Sequence, residues 1–146
     1  MAMPARVPAV RAVIAHEGRF LLVQHHNQLP ANAGKWGLPG GRIEATDKDL
    51  IFALERELHE EFAMQINLVG FVAMYTFRDR SHHIFLATPR SLEFTIDRKE
   101  IVDTQWCTLE EVRSQHDSGR LHAGFELAAI RASLARYGGA VSGRTA

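Results

Sequence analysis

The chain has 146 residues, 46% of them hydrophobic and 23% charged, as in ordinary soluble globular proteins. Its 17 lysine and arginine residues equal its 17 aspartate and glutamate residues, so no overall positive field favours DNA and local chemistry must hold any anionic ligand. The length fits one domain over residues 1–146 with a core at about 7–137. The single cysteine, Cys107, excludes an internal disulfide and suits the cytoplasm. The apolar run from Val7 to Ala15 is too short to span a bilayer, so no membrane contact is expected.

The predicted elements alternate between strands and helices. Two strands within 7–26 join at a turn over His16 to Gly18, and a polar loop from Asn27 to Lys35 leads to an extended piece at Trp36 to Leu38. A helix is predicted from Asp47 to Met64, with Thr46 or Asp47 as its N-cap. Two strands follow within 66–79 and 82–94, around a turn at Arg78 to Ser81. A strand at 103–109 then runs into a helix beginning near Thr108 or Leu109, and a last helix extends from about Ala123 to Tyr137. Residues 1–6 and the tail from Gly138 are predicted to be loose ends. This order predicts an α/β (α+β) fold with helices on both sides of a mixed central sheet.

An acidic cluster marks the helix predicted within 47–64. Glu57, Glu60 and Glu61 lie at i, i+3 and i+4, so a helix places their side chains on one face, where like charges repel by about a few tenths of a kcal/mol per pair. A divalent cation would relieve that repulsion, and Mg²⁺ prefers such oxygen ligands. A solvated charged face is the alternative. The preceding glycine pair, Gly40 and Gly41, lets the backbone approach a ligand closely and favours a site.

The segment from Gly41 to Met64 resembles the signature of the Nudix hydrolases, G-x5-E-x7-R-E-U-x-E-E-x-G-U, in which U is a bulky aliphatic residue. The matching positions are Gly41, Arg56, Glu57, Leu58, Glu60, Glu61 and Met64. The resemblance extends over most of the chain, from about Val7 to about Tyr137.

Two positions depart from that signature. Asp47 stands at the first acidic position, and eight residues rather than seven separate it from Arg56, so Glu44 is a second candidate for the acidic role. Ala63 replaces the last glycine, which would cost about 1 kcal/mol if this position requires a positive φ. We expect both changes to affect the loop and the helix end, not the metal site.

The resemblance implies a Nudix-type α/β/α sandwich and hydrolysis of the pyrophosphate linkage of a nucleoside diphosphate derivative, either a sugar nucleotide or a nucleoside triphosphate. The cofactor it implies is Mg²⁺, with Mn²⁺ possible, and a small-molecule nucleotide is the expected partner. Many relatives form dimers, so a homodimer is possible. The implied metal ligands are Glu57, Glu60, Glu61 and the carbonyl of Gly41. The implied catalytic residues are Glu60, Arg56, which orients the carboxylates, and Glu57, which is also a candidate base. The candidate substrate-binding residues are Gly40, Gly41, His25 and Arg42.

A further acidic residue from a later loop is also implied as a metal ligand or base. We choose Glu100 for this role, with Asp97 and Asp103 as rivals, and a solvated loop charge is the alternative reading of all three. The alternative function is a non-catalytic Nudix-fold module that binds a nucleotide or regulates a partner. An acidic calcium-binding surface is poorly supported, because no EF-hand-type loop is present.

Overall fold

The computed structural model describes residues 6–26 and 33–141. Within these ranges the strands are β1 (Ala9–His16), β2 (Arg19–His25), β3 (Gly40–Arg42), β4 (Ile66–Phe77), β5 (Arg80–Pro89) and β6 (Ile101–Thr108). The helices are α1 (Leu50–Phe62), α2 (Leu109–Asp117) and α3 (Glu126–Val141). None of these helices is long and apolar enough to cross a membrane.

The sheet has the order β4-β5-β1-β2-β6, and β3 pairs with β1 outside this path. β1 runs parallel to β5, and the other pairs are antiparallel. The predicted mixed sheet is therefore confirmed. β1 is buried along nearly all of its length, which explains why its sequence is apolar almost without alternation.

Helices cover both faces of this sheet. Because neighbouring side chains of a strand point to opposite faces, Val13 of β1 packs in one core cluster and Ile14 in the other. The first cluster takes in Val112 of α2 and Ile130 of α3, and the second takes in Leu58 of α1. The predicted α/β/α sandwich is confirmed.

The bounds of α1 and α3 differ from the predicted ones. The N-cap of α1 is Asp49, whose Oδ1 accepts the N–H of Phe52 at 2.7 Å, so the prediction of Thr46 or Asp47 was wrong. α3 begins at Glu126, not Ala123, and its backbone departs from helical angles at Tyr137 (φ −134°, ψ 32°). Helical structure then resumes to Val141, so the tail predicted from Gly138 is wrong over 138–141.

Some predicted segments lie outside the described residues. These are residues 1–5, the stretch 27–32 within the predicted polar loop, and residues 142–146 of the predicted tail. The two hairpin turns and the start of α2, which Thr108 caps together with Glu111, agree with prediction. The short strand β3 was not predicted, since its glycines signal only a turn in sequence.

Ala63 ends α1 in the left-handed region, with φ 51° and ψ 33°. Its N–H donates to the carbonyl of His59, as a glycine at this place in a helix end commonly does. We expect Ala63→Gly to raise the free energy of unfolding by about 0.5–1 kcal/mol, because glycine adopts this conformation without steric strain. Urea unfolding of both proteins measures the difference.

Ala128 provides the matched control, because it is exposed within α3. Ala128→Gly is expected to lower the free energy of unfolding by about 1 kcal/mol, the ordinary effect of glycine inside a helix. If both variants lost stability alike, the strain assigned to Ala63 would be absent.

Candidate active site

The acidic face of α1 lines a broad cavity of about 1090 Å³, which we call the acidic cavity. Its acidic wall consists of Glu44, Glu57, Glu60, Glu61, Asp97 and Glu100. β3 brings Gly40 and Gly41 to the same cavity through its pairing with β1. A Cβ on Gly41 would lie 2.6 Å from Oε2 of Glu57, so glycine at this position leaves the room that the carboxylate occupies.

Arg56 holds the acidic residues of the segment together. Its Nε and Nη2 donate to the two carboxylate oxygens of Asp47, each at 2.8 Å, and its Nη1 donates to Glu57 and Glu60, each at 3.2 Å. This guanidinium lowers the pKa of Asp47 to about 2. Glu44 lies 3.5 Å from Nη1 and its side chain is 59% exposed. Asp47 thus occupies the acidic position beside Arg56 despite the inserted residue, with Glu44 at its margin.

The surroundings of Glu57 and Glu61 disfavour the ionised forms of both carboxylates. Burial raises the pKa of Glu57 to about 8, with a contribution from neighbouring Glu61, and burial raises the pKa of Glu61 to about 7. Oε2 of Glu61 lies 3.0 Å from Nε2 of His25, whereas its Oε1 is buried and has no hydrogen-bond partner within residues 6–26 and 33–141. Buried carboxylate oxygens are unfavourable unless paired, so this donor set fits a divalent cation.

The carboxylates are close together but do not form a preassembled metal shell. Within 6–26 and 33–141, no three His, Cys, Asp or Glu side chains stand in positions that could hold a metal ion as they are. Mg²⁺ is commonly bound through one or two carboxylates, with waters and substrate phosphates as its other ligands.

The structure separates the three candidate acids near β6. Glu100 lines the acidic cavity and its charge is one of the influences that raise the pKa of Glu61. Asp97 also lines the cavity, but its Oδ1 accepts the N–H of Lys99 at 3.0 Å. Asp103 is not part of the lining, and its carboxylate accepts the N–H of Thr104. Glu100 and Asp97 thus share the site with the glutamates of α1.

A second cavity of about 310 Å³ adjoins the acidic cavity, and we call it the aromatic cavity. The residues that line it but not the acidic cavity include two phenylalanines, two histidines and a buried acid: Phe77, Phe125, His82, His122 and Glu126. The two cavities share the lining residues Arg6, Arg11, His25, Arg42 and Arg80, so a ligand can extend from one into the other. Of the predicted substrate-binding residues, His25 and Arg42 line both cavities, and Gly40 and Gly41 line the acidic one.

Arg11 is a site residue that the sequence interpretation missed. From β1 its Nε donates to Nδ1 of His82 at 3.2 Å and its Nη1 donates to the carbonyl of Leu38 at 3.1 Å. Burial lowers its pKa, and the nearby charges of Glu61 and Glu126 oppose that effect. A lone arginine within an otherwise apolar strand was the available signal, because a buried strand tolerates a cation only where it meets polar partners.

One family model and several solved structures match this chain. The family model described as NUDIX domain matches residues 5–125. The crystal structure of a NUDIX hydrolase from Nitrosomonas europaea matches with a TM-score of 0.75 at 16% identity, covering 94% of this chain and 74% of that one. The solution structure of the Escherichia coli ORF135 protein matches with a TM-score of 0.67 at 26% identity, covering 90% and 92%. The MutT protein from Methanosarcina mazei Go1 matches with a TM-score of 0.69 at 22% identity, covering 90% and 95%. No curated protein sequence matches the chain.

Proposed function

The chain belongs to the Nudix family, and we propose that it is a Mg²⁺-dependent hydrolase that cleaves the pyrophosphate linkage of a nucleoside diphosphate derivative. One observation carries the proposal: Glu57, Glu60 and Glu61 line a cavity that shares four arginines with the aromatic cavity. A phosphate chain beside the arginines would reach the glutamates, while an organic group attached to it would reach the aromatic walls.

The glutamates of α1 would hold the cation together with the carbonyl of Gly41. The raised pKa values of Glu57 and Glu61 support this, because burial disfavours their ionised forms and a bound cation would favour them. Oε1 of Glu61, which has no hydrogen-bond partner among the described residues, supports it as well. Bound Mg²⁺ or Mn²⁺ supplies charge neutralisation at the phosphoryl oxygens. A protein that merely bound nucleotides would gain nothing from keeping these repelling carboxylates, which favours the enzyme over the non-catalytic module.

The arginines shared by the two cavities would bind the phosphates. Arg11, Arg42 and Arg80 line both cavities, and guanidinium groups form paired, charge-assisted hydrogen bonds with phosphate oxygens. Arg11 is held by His82 and Leu38, so little side-chain freedom remains to be lost on binding.

Proton transfer from the attacking water is assigned to Glu57. Arg56 donates to its Oε1 at 3.2 Å and so orients the carboxylate, which lines the acidic cavity. Glu100, on another wall of the acidic cavity, is proposed as the further acidic residue that assists at the metal or the water.

We expect turnover of at least one nucleoside diphosphate derivative in the presence of Mg²⁺ and none in EDTA. A panel of sugar nucleotides and nucleoside triphosphates, assayed for released phosphate and nucleotide, measures this. Glu60→Gln and Glu61→Gln are expected to lower kcat/KM by about 100-fold or more, since each removes a carboxylate worth a few kcal/mol at the transition state. ¹⁸O-labelled water then identifies the phosphorus that is attacked.

Glu55→Gln is the matched control, because Glu55 lies on α1, is exposed and does not line the acidic cavity. Its kcat/KM should equal that of the parent. Absence of turnover across the panel, or Glu60→Gln and Glu61→Gln variants as fast as Glu55→Gln, would refute the proposed function.

A further inference from the structure

Glu126 places a buried carboxylate in the wall of the aromatic cavity. The residue is 1% exposed, and its Oε1 and Oε2 accept the N–H groups of Gly124 at 2.7 Å and Ala123 at 3.0 Å. In the part of the chain that the structure describes, it takes part in no ion pair within 4 Å. A carboxylate has about four acceptor sites, so two backbone donors fix its orientation and leave acceptor capacity for a ligand.

His122 brings a second polar group to the same wall. Its Nε2 is buried without a hydrogen-bond partner among the described residues, and its backbone N–H donates to the carbonyl of Trp36. Burial lowers its pKa to about 4, so the ring is neutral and its Nε2 can donate one hydrogen bond. Glu126 and His122 both flank Gly37: a Cβ there would lie 3.6 Å from Oε2 of Glu126 and 3.7 Å from Cβ of His122.

Aromatic rings complete the cavity around these two groups. The ring of Phe125 stacks on Tyr75 with centroids 5.2 Å apart, and the ring of Phe77 meets His122 edge-on at 5.7 Å. The volume of about 310 Å³ is at the small end for a ligand pocket and suits one planar group. The cavity thus offers the faces of two phenylalanines, a fixed double acceptor and an adjacent histidine donor, beside basic side chains that include Lys35 and Arg78.

We propose that the aromatic cavity is a base site that selects guanine, with Glu126 accepting hydrogen bonds from the base. Guanine presents two adjacent donors, N1–H and the 2-amino group, beside the acceptor O6. Glu126 accepts from the two donors, and Nε2 of His122 donates to O6. This inference rests on the proposed function only in taking the ligand to be a nucleotide.

The other bases present a mismatch to this pair of side chains. Adenine and cytosine each place a ring-nitrogen acceptor next to their amino group, and that lone pair would face the carboxylate of Glu126. Uracil offers a single N–H between two carbonyl oxygens. A buried polar site rejects a ligand that leaves its groups unpaired or opposed, so the discrimination is expected to be strong.

Nucleoside monophosphates test the inference, because they lack a pyrophosphate linkage and bind without turnover. Calorimetric titration of the parent protein with GMP, IMP, AMP, CMP and UMP is expected to show GMP binding about 10-fold or more tightly than AMP, CMP and UMP. IMP, which keeps N1–H and lacks the 2-amino group, should fall between GMP and AMP.

Variants assign the selectivity to its residues. Glu126→Gln should weaken the binding of GMP by about 10-fold and should leave the binding of AMP almost unchanged. His122→Phe should weaken the binding of GMP and of IMP by equal factors. Equal affinities of the parent for all five nucleotides, or tighter binding of AMP, would overturn the inference even if Glu126→Gln failed to fold. Selective GMP binding without hydrolysis of any nucleotide would refute the proposed function alone, whereas Mg²⁺-dependent turnover with equal kcat/KM for all bases would refute guanine selection alone.

Discussion

Replacement of Glu57 by glutamine is expected to lower kcat by about 10²–10⁴-fold and to stabilise the metal-free protein at alkaline pH. The loss of activity follows because the amide neither accepts the proton of the attacking water nor contributes charge to a cation site. The gain in stability follows because the surroundings of Glu57, chiefly burial and then Glu61, disfavour its ionised form. A loss of activity together with a gain in stability is the trade-off expected of a group held under strain for function.

The pH dependence of stability separates this effect from a general one. The pKa of Glu57 in the folded protein is raised from 4.5 to about 8. Its contribution to the free energy of unfolding is therefore fully present below about pH 4.5 and is lost as the pH rises through about 8. Allowing for solvent screening, we expect the free energy of unfolding in EDTA to fall, between about pH 4.5 and pH 8, by of the order of 1–2 kcal/mol more in the parent than in Glu57→Gln.

Thermal unfolding in EDTA at pH 5 and pH 8.5, for the parent, Glu57→Gln and the exposed control Glu55→Gln, measures this difference. Added Mg²⁺ should raise the Tm of the parent at pH 8.5 by mass action and that of Glu57→Gln less. An equal dependence on pH in all three proteins would show that Glu57 is not held under electrostatic stress.

The residues of α1 could be assigned from sequence because one helix supplies them. Helical periodicity fixes the relative positions of Arg56, Glu57, Glu60 and Glu61, whatever the rest of the fold does. The first acidic position of the signature was assigned to Asp47 with Glu44 as a second candidate, since an inserted residue changes the path of a loop in a way that periodicity does not describe. In the structure Arg56 makes two hydrogen bonds to Asp47, whereas Glu44 lies farther away at 3.5 Å.

The aromatic cavity could not be predicted from the sequence, because its residues come from several elements and not from one helix. Arg11, His82 and Glu126 come from β1, β5 and α3, and they meet only because β1 pairs with β5 in parallel and α3 covers that face of the sheet. No local pattern encodes such a meeting, and buried polar residues read in isolation resemble exceptions within apolar segments. Tertiary pairing also explains why β3 was not predicted, because its strand character comes from its pairing with β1.

Asp47→Asn is expected to lower kcat/KM by about 10–100-fold, the usual effect of losing a residue that orients catalytic ligands. Arg56 would keep one hydrogen bond to the amide oxygen but lose the paired geometry that aims its Nη1 at Glu57 and Glu60. Arg56→Lys should be at least as damaging, because an ammonium group cannot reproduce the planar fork. Steady-state kinetics at saturating Mg²⁺ measure both.

The variant that combines Asp47→Asn with Arg56→Lys tests whether Asp47 and Arg56 act as one unit, and Glu44→Gln tests whether Glu44 shares the acidic role. If they do, the variant carrying both changes should be no slower than Arg56→Lys alone, because the second change removes an interaction already lost. Glu44→Gln should alter kcat/KM by less than about 3-fold, since an exposed ion pair contributes little. A larger loss in Glu44→Gln than in Asp47→Asn would move the acidic role to Glu44, and fully multiplicative losses in the double variant would mean that Asp47 serves the site by a route other than Arg56.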